Sequence, residues 1–298
     1  MAKEGSEEVP VEMRCGDLTL EFAVTGPRII GLRMLDGENV FAELPGLEIE
    51  RPGGSPFRFL GGHRLWLAPE IPSITYQPDD DPVSVTHDDG HLRVRGDADP
   101  NGIAREIEVS ADRIDGTVVV DHRIINVGDE PIEAAAWAIT QFPADGAAVL
   151  PLGAEPVDAG EYQANRSVVL WPYTNPGAEG FDWSRDALVV GGSSGPKQKV
   201  GAENRNGWVA YHRRSVLFAK WAPLHDPALR YADRGASVQV YRDHRFIELE
   251  TLSPVRRLER GDALHHREVW RVVETGPLDR GDLAAYALDI LSAWEPHR

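Results

Sequence analysis

Short runs of alternating apolar and polar residues, repeated along almost the whole chain and separated by turn residues, constrain this sequence more than any other feature. DLTLEFAV, PRIIGLRML, VSVTHDDGHLRVRG, REIEVS, TVVVDHRIIN, SVQVYRDHRFIELETL and REVWRVVE all show it. A period of two sends successive side chains to opposite faces, so each run predicts a strand with one face turned to a core. Asp36-Gly37, Asp89-Gly90, Asp115-Gly116 and Gly261-Asp262 fall between runs and carry hairpin and turn chemistry. The expected fold class is therefore all-β, built of antiparallel sheets. One helix stands out, at 281–294, with Asp282 placed to cap it and Leu283, Ala287, Leu288 and Leu291 on one stripe. The alternating helices of a βαβ fold are missing.

A length of 298 residues suits one large sandwich. Residues 1–10 are polar and acidic and are expected to be a flexible terminus, leaving 11–298 as a single domain. The stretch 151–207, rich in Gly, Pro, Asn and Ser, is expected to be a long loop region lying over one face of the sheets.

The formal charge of −17 repels phosphate backbones and anionic lipid, so nucleic acid and membrane are not the expected partners. Cys15 is the single cysteine, which excludes an internal disulfide. With no apolar leader and no run of 18 apolar residues, a cytoplasmic location is expected. His265 and His266 are adjacent and face opposite ways on a strand, so they do not form a chelating pair, and no metal set is predicted. Phosphate loops, dinucleotide fingerprints and nucleophile elbows are absent from the sequence, and no cofactor is expected.

Two clusters carry candidate chemistry. GGHRLWLAPE brings His63, Arg64, Trp66 and Glu70 together behind a glycine pair. An arginine fork and a carboxylate can bind fanned hydroxyls while an indole takes the C–H face of a sugar ring. A turn with an Arg64–Glu70 ion pair and a core tryptophan fits the same residues. In RFIELETLSP, a strand puts Phe246, Glu248 and Glu250 on one side, and paired carboxylates are either solvated surface or a proton-transfer pair. Trp137, Trp171 and Lys220 lie on or beside further strand-like runs and are candidate binding groups.

In order along the chain, PRIIGLRMLDGENVF, GGHRLW, WAIT, FIELETLSP and REVWRV resemble the galactose-mutarotase-like superfamily, over roughly residues 17–275. The likeness is greater to a bacterial branch of unknown function than to the aldose 1-epimerases themselves. It implies a β-supersandwich with a short C-terminal helix, holding a small sugar or sugar-like ligand in a groove. In the epimerases a late glutamate takes the anomeric proton and a histidine protonates the ring oxygen. Glu250, followed by Thr251, Leu252 and Pro254, matches the glutamate, and Arg64 matches a sugar-binding arginine. The histidine position reads WAITQF here, so His63 is the substitute acid that the resemblance offers. Three functions stay open: anomer interconversion, saccharide binding without turnover, and another proton-transfer reaction on a related substrate.

Overall fold

In a computed structural model of the chain, the described residues are 9–294 and 296, apart from 52–53, 89, 112–116, 193 and 225–228. Most of the expected flexible terminus, and the predicted turns at 115–116 and in part at 89–90, lie outside them. The alternating runs form strands as predicted. Leu18–Phe22, Arg28–Met34, Ile103–Ala111, Val118–Asn126, Val238–Arg242, Phe246–Leu252 and Ala263–Glu274 cover six of the seven runs, Ser84–Asp88 and His91–Arg95 cover the seventh, and every strand pair among the described residues is antiparallel.

Two ten-stranded sheets make the sandwich. The middle of the first runs Arg28–Met34, His63–Ala68, Ile132–Pro143, Phe246–Leu252, Val238–Arg242, Gln198–Ala202. The middle of the second runs Trp208–Arg213, Val216–Trp221, Ala263–Glu274, Val118–Asn126, Ile103–Ala111. Alternation sends Leu65, Leu67, Phe142, Ile247 and Leu249 of the first sheet into the main core against Val120, Ile124, Phe218 and Trp270 of the second. Burying side chains of this size is worth about 1.5–3 kcal/mol each, and it fixes the register, because a slip of one residue would turn every strand inside out.

The C-terminal helix spans Arg280–Leu291 and packs Leu283, Ala287 and Leu291 on the outer face of the second sheet, against Val149, Val189 and Trp208. Its N-cap position falls on Asp279, and the expected cap, Asp282, sits in the first turn. The outer face of the first sheet remains for a groove. A two-stranded flap, Glu43–Ile49 with Phe57–Gly61, lies beside it.

The 151–207 stretch differs from expectation. It contains four short strands, Val168–Leu170, Phe181–Trp183, Ala187–Gly191 and Gln198–Ala202, which extend both sheets. Three-residue strands are too short for periodicity to register.

Candidate functional site

The groove-facing positions follow from the same alternation. Arg64 and Trp66 point outward from the His63–Ala68 strand, Trp137 and Gln141 from the next, and Phe246, Glu248 and Glu250 from the third. Register places Gln141 opposite Glu248, and Glu250 opposite Ile139, which in turn faces Arg64. The turn into the first of these strands is made by Gly61 and Gly62 at φ 91° and 71°. A Cβ on Gly62 would lie 2.2 Å from the carbonyl oxygen of Ile29, so only glycine lets this turn pack so closely on the Arg28–Met34 strand.

Of the outward-pointing residues, Arg64, Trp66, Trp137, Phe246 and Glu248 line a groove of about 530 Å³ together with Glu70, Tyr76, Trp171, Tyr173, Lys199 and Tyr241, while Gln141 and Glu250 are fully buried behind them. Arg64 is buried, with its guanidinium 4.2 Å from the Trp66 ring centre. It donates to Gln141 Oε1 at 2.9 Å and to Glu248 Oε1 at 3.2 Å, while Gln141 Nε2 donates to the same Glu248 oxygen at 2.9 Å. Burial pushes the Glu248 carboxyl up to about 7; Arg64 opposes this and Glu250 adds to it. Burial likewise lowers Arg64 to about 10, with Glu248 opposing.

Glu250 lies one layer deeper and is fully buried. Its Oε2 accepts from Trp137 Nε1 at 2.6 Å and from Lys199 Nζ at 2.8 Å. Oε1 has no hydrogen-bond partner among the described residues. Burial raises its pKa, and the Lys199 charge and the Trp137 hydrogen bond hold it down. The Lys199 ammonium also sits 4.6 Å from the Trp137 ring centre and 4.8 Å from that of Trp171.

Of the residues singled out in the sequence, Arg64, Trp66, Glu70, Trp137, Trp171 and Glu248 therefore share one groove, with Glu250 bonded to two of its walls. Glu70 accepts a hydrogen bond from Tyr76 at 2.6 Å, and Arg64 pairs with Glu248 instead of Glu70. The turn in the alternative reading of GGHRLWLAPE is a strand, and its core tryptophan is kept, since Trp66 is buried among Phe57, Phe59 and Trp137.

Two expectations are corrected. His63 and Lys220 face the inside of the sandwich. His63 is fully buried, its Nε2 2.7 Å from Nε2 of His122 on the opposite sheet and its Nδ1 2.9 Å from Thr140 Oγ1. Its strand neighbour Arg64 takes the groove, so alternation itself excludes His63 from the role of acid there. Lys220 is also fully buried and pairs with Glu268 at 2.8 Å, donating as well to the Ala138 carbonyl at 3.0 Å.

One donor atom from each of His63, His122 and Glu268 lies within 4.8 Å of the others, a grouping that the sequence did not reveal. All three already have partners. His122 Nδ1 donates to the His266 carbonyl, so its Nε2 accepts the proton carried by His63 Nε2. Glu268 holds Lys220, Thr251 and Trp270 Nε1, and the ammonium supplies the positive charge that a cation would bring.

The sequence reading missed Gln141, which bridges Arg64 and Glu248, as well as the groove-lining Lys199, Tyr173 and Tyr241. Gln141 was legible, being two pleats from Trp137. Lys199 was not, since KQKVGA shows no apolar contrast. A second cavity of about 300 Å³, between Met34–Val40 and Arg213–Val216, lies away from all these groups.

Two antiparallel sheets joined face to face, with a short helix on the outer face of one, make a galactose-mutarotase-like sandwich. Solved structures agree on the fold. A galactose mutarotase-like protein from Lactobacillus casei superposes with a TM-score of 0.59 at 9% identity, covering 89% of this chain and 100% of its own. A galactose mutarotase related enzyme from Lactobacillus acidophilus gives 0.53 at 8%, covering 91% and 100%. A proposed aldose 1-epimerase from Escherichia coli K12 gives 0.53 at 11%, covering 89% and 99%. No family model and no curated protein sequence matches the chain. At such identities the fold is shared and the activity is a separate question.

Proposed function

We propose that the protein binds a saccharide in this groove and interconverts its anomers by acid–base catalysis, with Glu250 as the proton acceptor. The observation that carries this reading is the state of Glu250: a fully buried carboxylate held at one oxygen by Trp137 and Lys199, its second oxygen unpartnered among the described residues, directly behind an aromatic groove. A base of this kind needs a raised proton affinity and a fixed position, and both are present. Trp171 offers a face for the C–H side of a sugar ring, Trp66 and Trp137 hold Arg64 and Lys199 in place behind it, and Arg64 and Glu248, fixed by Gln141, offer a donor and an acceptor for hydroxyls.

Binding without turnover is the second reading. It is favoured by the depth of Glu250 and by the inward orientation of His63, which leaves the groove without the histidine of the epimerases. Saturation-exchange NMR on a panel of aldoses separates the two. Anomer exchange above the buffer rate in the native protein, reduced about 10²–10⁴-fold in Glu250→Gln, is the expected result. Calorimetric binding with equal exchange rates in both proteins would overturn catalysis and leave the binding reading.

A further inference from the structure

The groove has an acceptor for the anomeric proton but needs a donor for the ring oxygen, and its aldose 1-epimerase-like reading rests on finding one. Four kinds of proton carrier line it: the rim imidazole of His244, the phenols of Tyr76, Tyr173 and Tyr241, the ammonium groups of exposed Lys197 and of Lys199, and the carboxyl of Glu248, whose Oε1 is already taken by Arg64 and Gln141 and which does not touch the base. Burial pushes all three phenols above their ordinary range, which makes them weak donors at neutral pH. His244 is exposed, whereas Lys199 is buried and touches the base.

The geometry points to Lys199 as the general acid of this site, standing where the epimerases use a histidine; the inference rests on the anomer-exchange reading above. Its ammonium carries three hydrogens. One is given to Glu250 Oε2, and no other acceptor for Nζ is found among the described residues. The indoles of Trp137 and Trp171 hold the charge in place through their ring faces. The backbone is fixed too: Lys199 N–H donates to Thr174 Oγ1 at 3.0 Å, and that hydroxyl donates back to the Lys199 carbonyl at 2.6 Å.

A donor and an acceptor 2.8 Å apart match the chemistry, because the hydroxyl that loses a proton and the ring oxygen that gains one are attached to the same anomeric carbon. In the opening step, Glu250 takes the proton of the anomeric hydroxyl and that C–O bond becomes a carbonyl. The bond from the anomeric carbon to the ring oxygen breaks, its electron pair stays on the ring oxygen, and a proton from Lys199 Nζ completes a hydroxyl. The ion pair has become a neutral carboxylic acid and amine. After rotation about the adjacent C–C bond, the hydroxyl attacks the other face of the aldehyde. Both protons then return and the ion pair is restored. Nothing is oxidised, and no co-reactant enters.

The test compares Lys199→Arg, Lys199→Gln and the Lys199→Gln/Glu250→Gln pair with the native protein, by anomer exchange and by calorimetric sugar binding. Arginine keeps the positive charge beside Glu250 but does not release a proton, whereas glutamine removes both charge and proton. The double variant leaves no unpaired charge and guards against misfolding of the single one. Lys199→Arg is expected to bind sugar within about tenfold of the native protein, yet to lose exchange by about 10²–10⁴-fold, as Lys199→Gln does. Exchange in Lys199→Arg close to the native rate would overturn the assignment and reduce Lys199 to a source of charge. Loss in His244→Asn with Lys199→Arg active would move the acid to the rim. A native protein that binds sugars without exchanging any would remove the parent reading, and the Lys199 role with it.

Discussion

Replacing Lys220 by methionine tests the interior of the sandwich directly. Lys220 and Glu268 are both fully buried, 2.8 Å apart, between sheets whose surroundings are Phe218, Trp270 and the main core. Methionine fills the volume of the stem and removes the charge. The Glu268 carboxylate keeps Thr251 and Trp270 as donors but loses its counter-ion. Removing one partner of a buried pair costs about 3–5 kcal/mol. With an unfolding entropy of about 0.6 kcal/mol/K for a chain of this length, the melting temperature should fall by roughly 5–8 °C. Urea unfolding followed by tryptophan emission measures the loss. Lys220→Met/Glu268→Gln, which removes the stranded charge but keeps an acceptor for Thr251 and Trp270, should recover at least half of it.

The pH dependence has a definite sign. In the native protein burial alone would raise Glu268, but Lys220 outweighs it and holds the carboxyl well below the usual range. That contribution is present above the unfolded carboxylate value and is lost only as pH falls through the lower folded value. Without Lys220, burial prevails and Glu268 keeps its proton above the unfolded value, so the penalty is full at pH 8 and fades toward pH 4. A single variant within about 1 kcal/mol of native, or a double variant no better than the single, would refute the claim that this pair is a charge pair in a dry interior.

Further outcomes follow from the groove. Glu248, raised to about 7, holds a proton that the unfolded chain has already released, so it makes stability fall as pH rises from about 4.5 to about 7. Glu248→Gln should remove about 3 kcal/mol of that fall, measured by urea unfolding across the window. Trp137→Phe deletes the 2.6 Å donor that holds the Glu250 carboxyl down and should move to higher pH the limb over which exchange rises with pH; an unmoved limb would show that the indole does not tune this carboxylate. Gly62→Ala forces a Cβ against the Ile29 carbonyl at φ 71° and should cost about 2–4 kcal/mol by thermal unfolding, against about 1–2 kcal/mol at Gly195, where φ is 92° but nothing crowds the Cβ.

The strands were legible because one face of each is apolar, as in REIEVS and TVVVDHRIIN, and the helix because its stripe covers the second sheet. The groove was partly legible: Arg64, Trp66, Glu248 and Glu250 stand at alternate positions of readable strands. His63 and Lys220 misled for a physical reason. Polar residues in apolar strands read as outward-facing, but this interior carries His63, His122, His266, Thr140, Thr251, Lys220 and Glu268 in one hydrogen-bonded network. Nothing local in the sequence distinguishes an inward charge from an outward one when its partner lies 48 residues away, as Glu268 does from Lys220. Lys199 was hidden by the opposite effect, a groove face so polar that its strand lost its contrast.

That interior network lies back to back with the groove. His63 precedes Arg64, Thr140 precedes Gln141, and Thr251 follows Glu250, so each of these three inward residues is the chain neighbour of one on the groove side of the sheet. The wall of the site is thereby bolted to the far sheet at three points, and a ligand meets donors and acceptors whose spacing is already set. Little conformational entropy is left to be lost on binding, which favours tight selection of one hydroxyl pattern over adaptation to many. Changes of ligand preference should then arise in the segments around Trp171–Tyr173 and Gly195–Lys197, where the groove is built from connections, and leave the three bolted strands untouched.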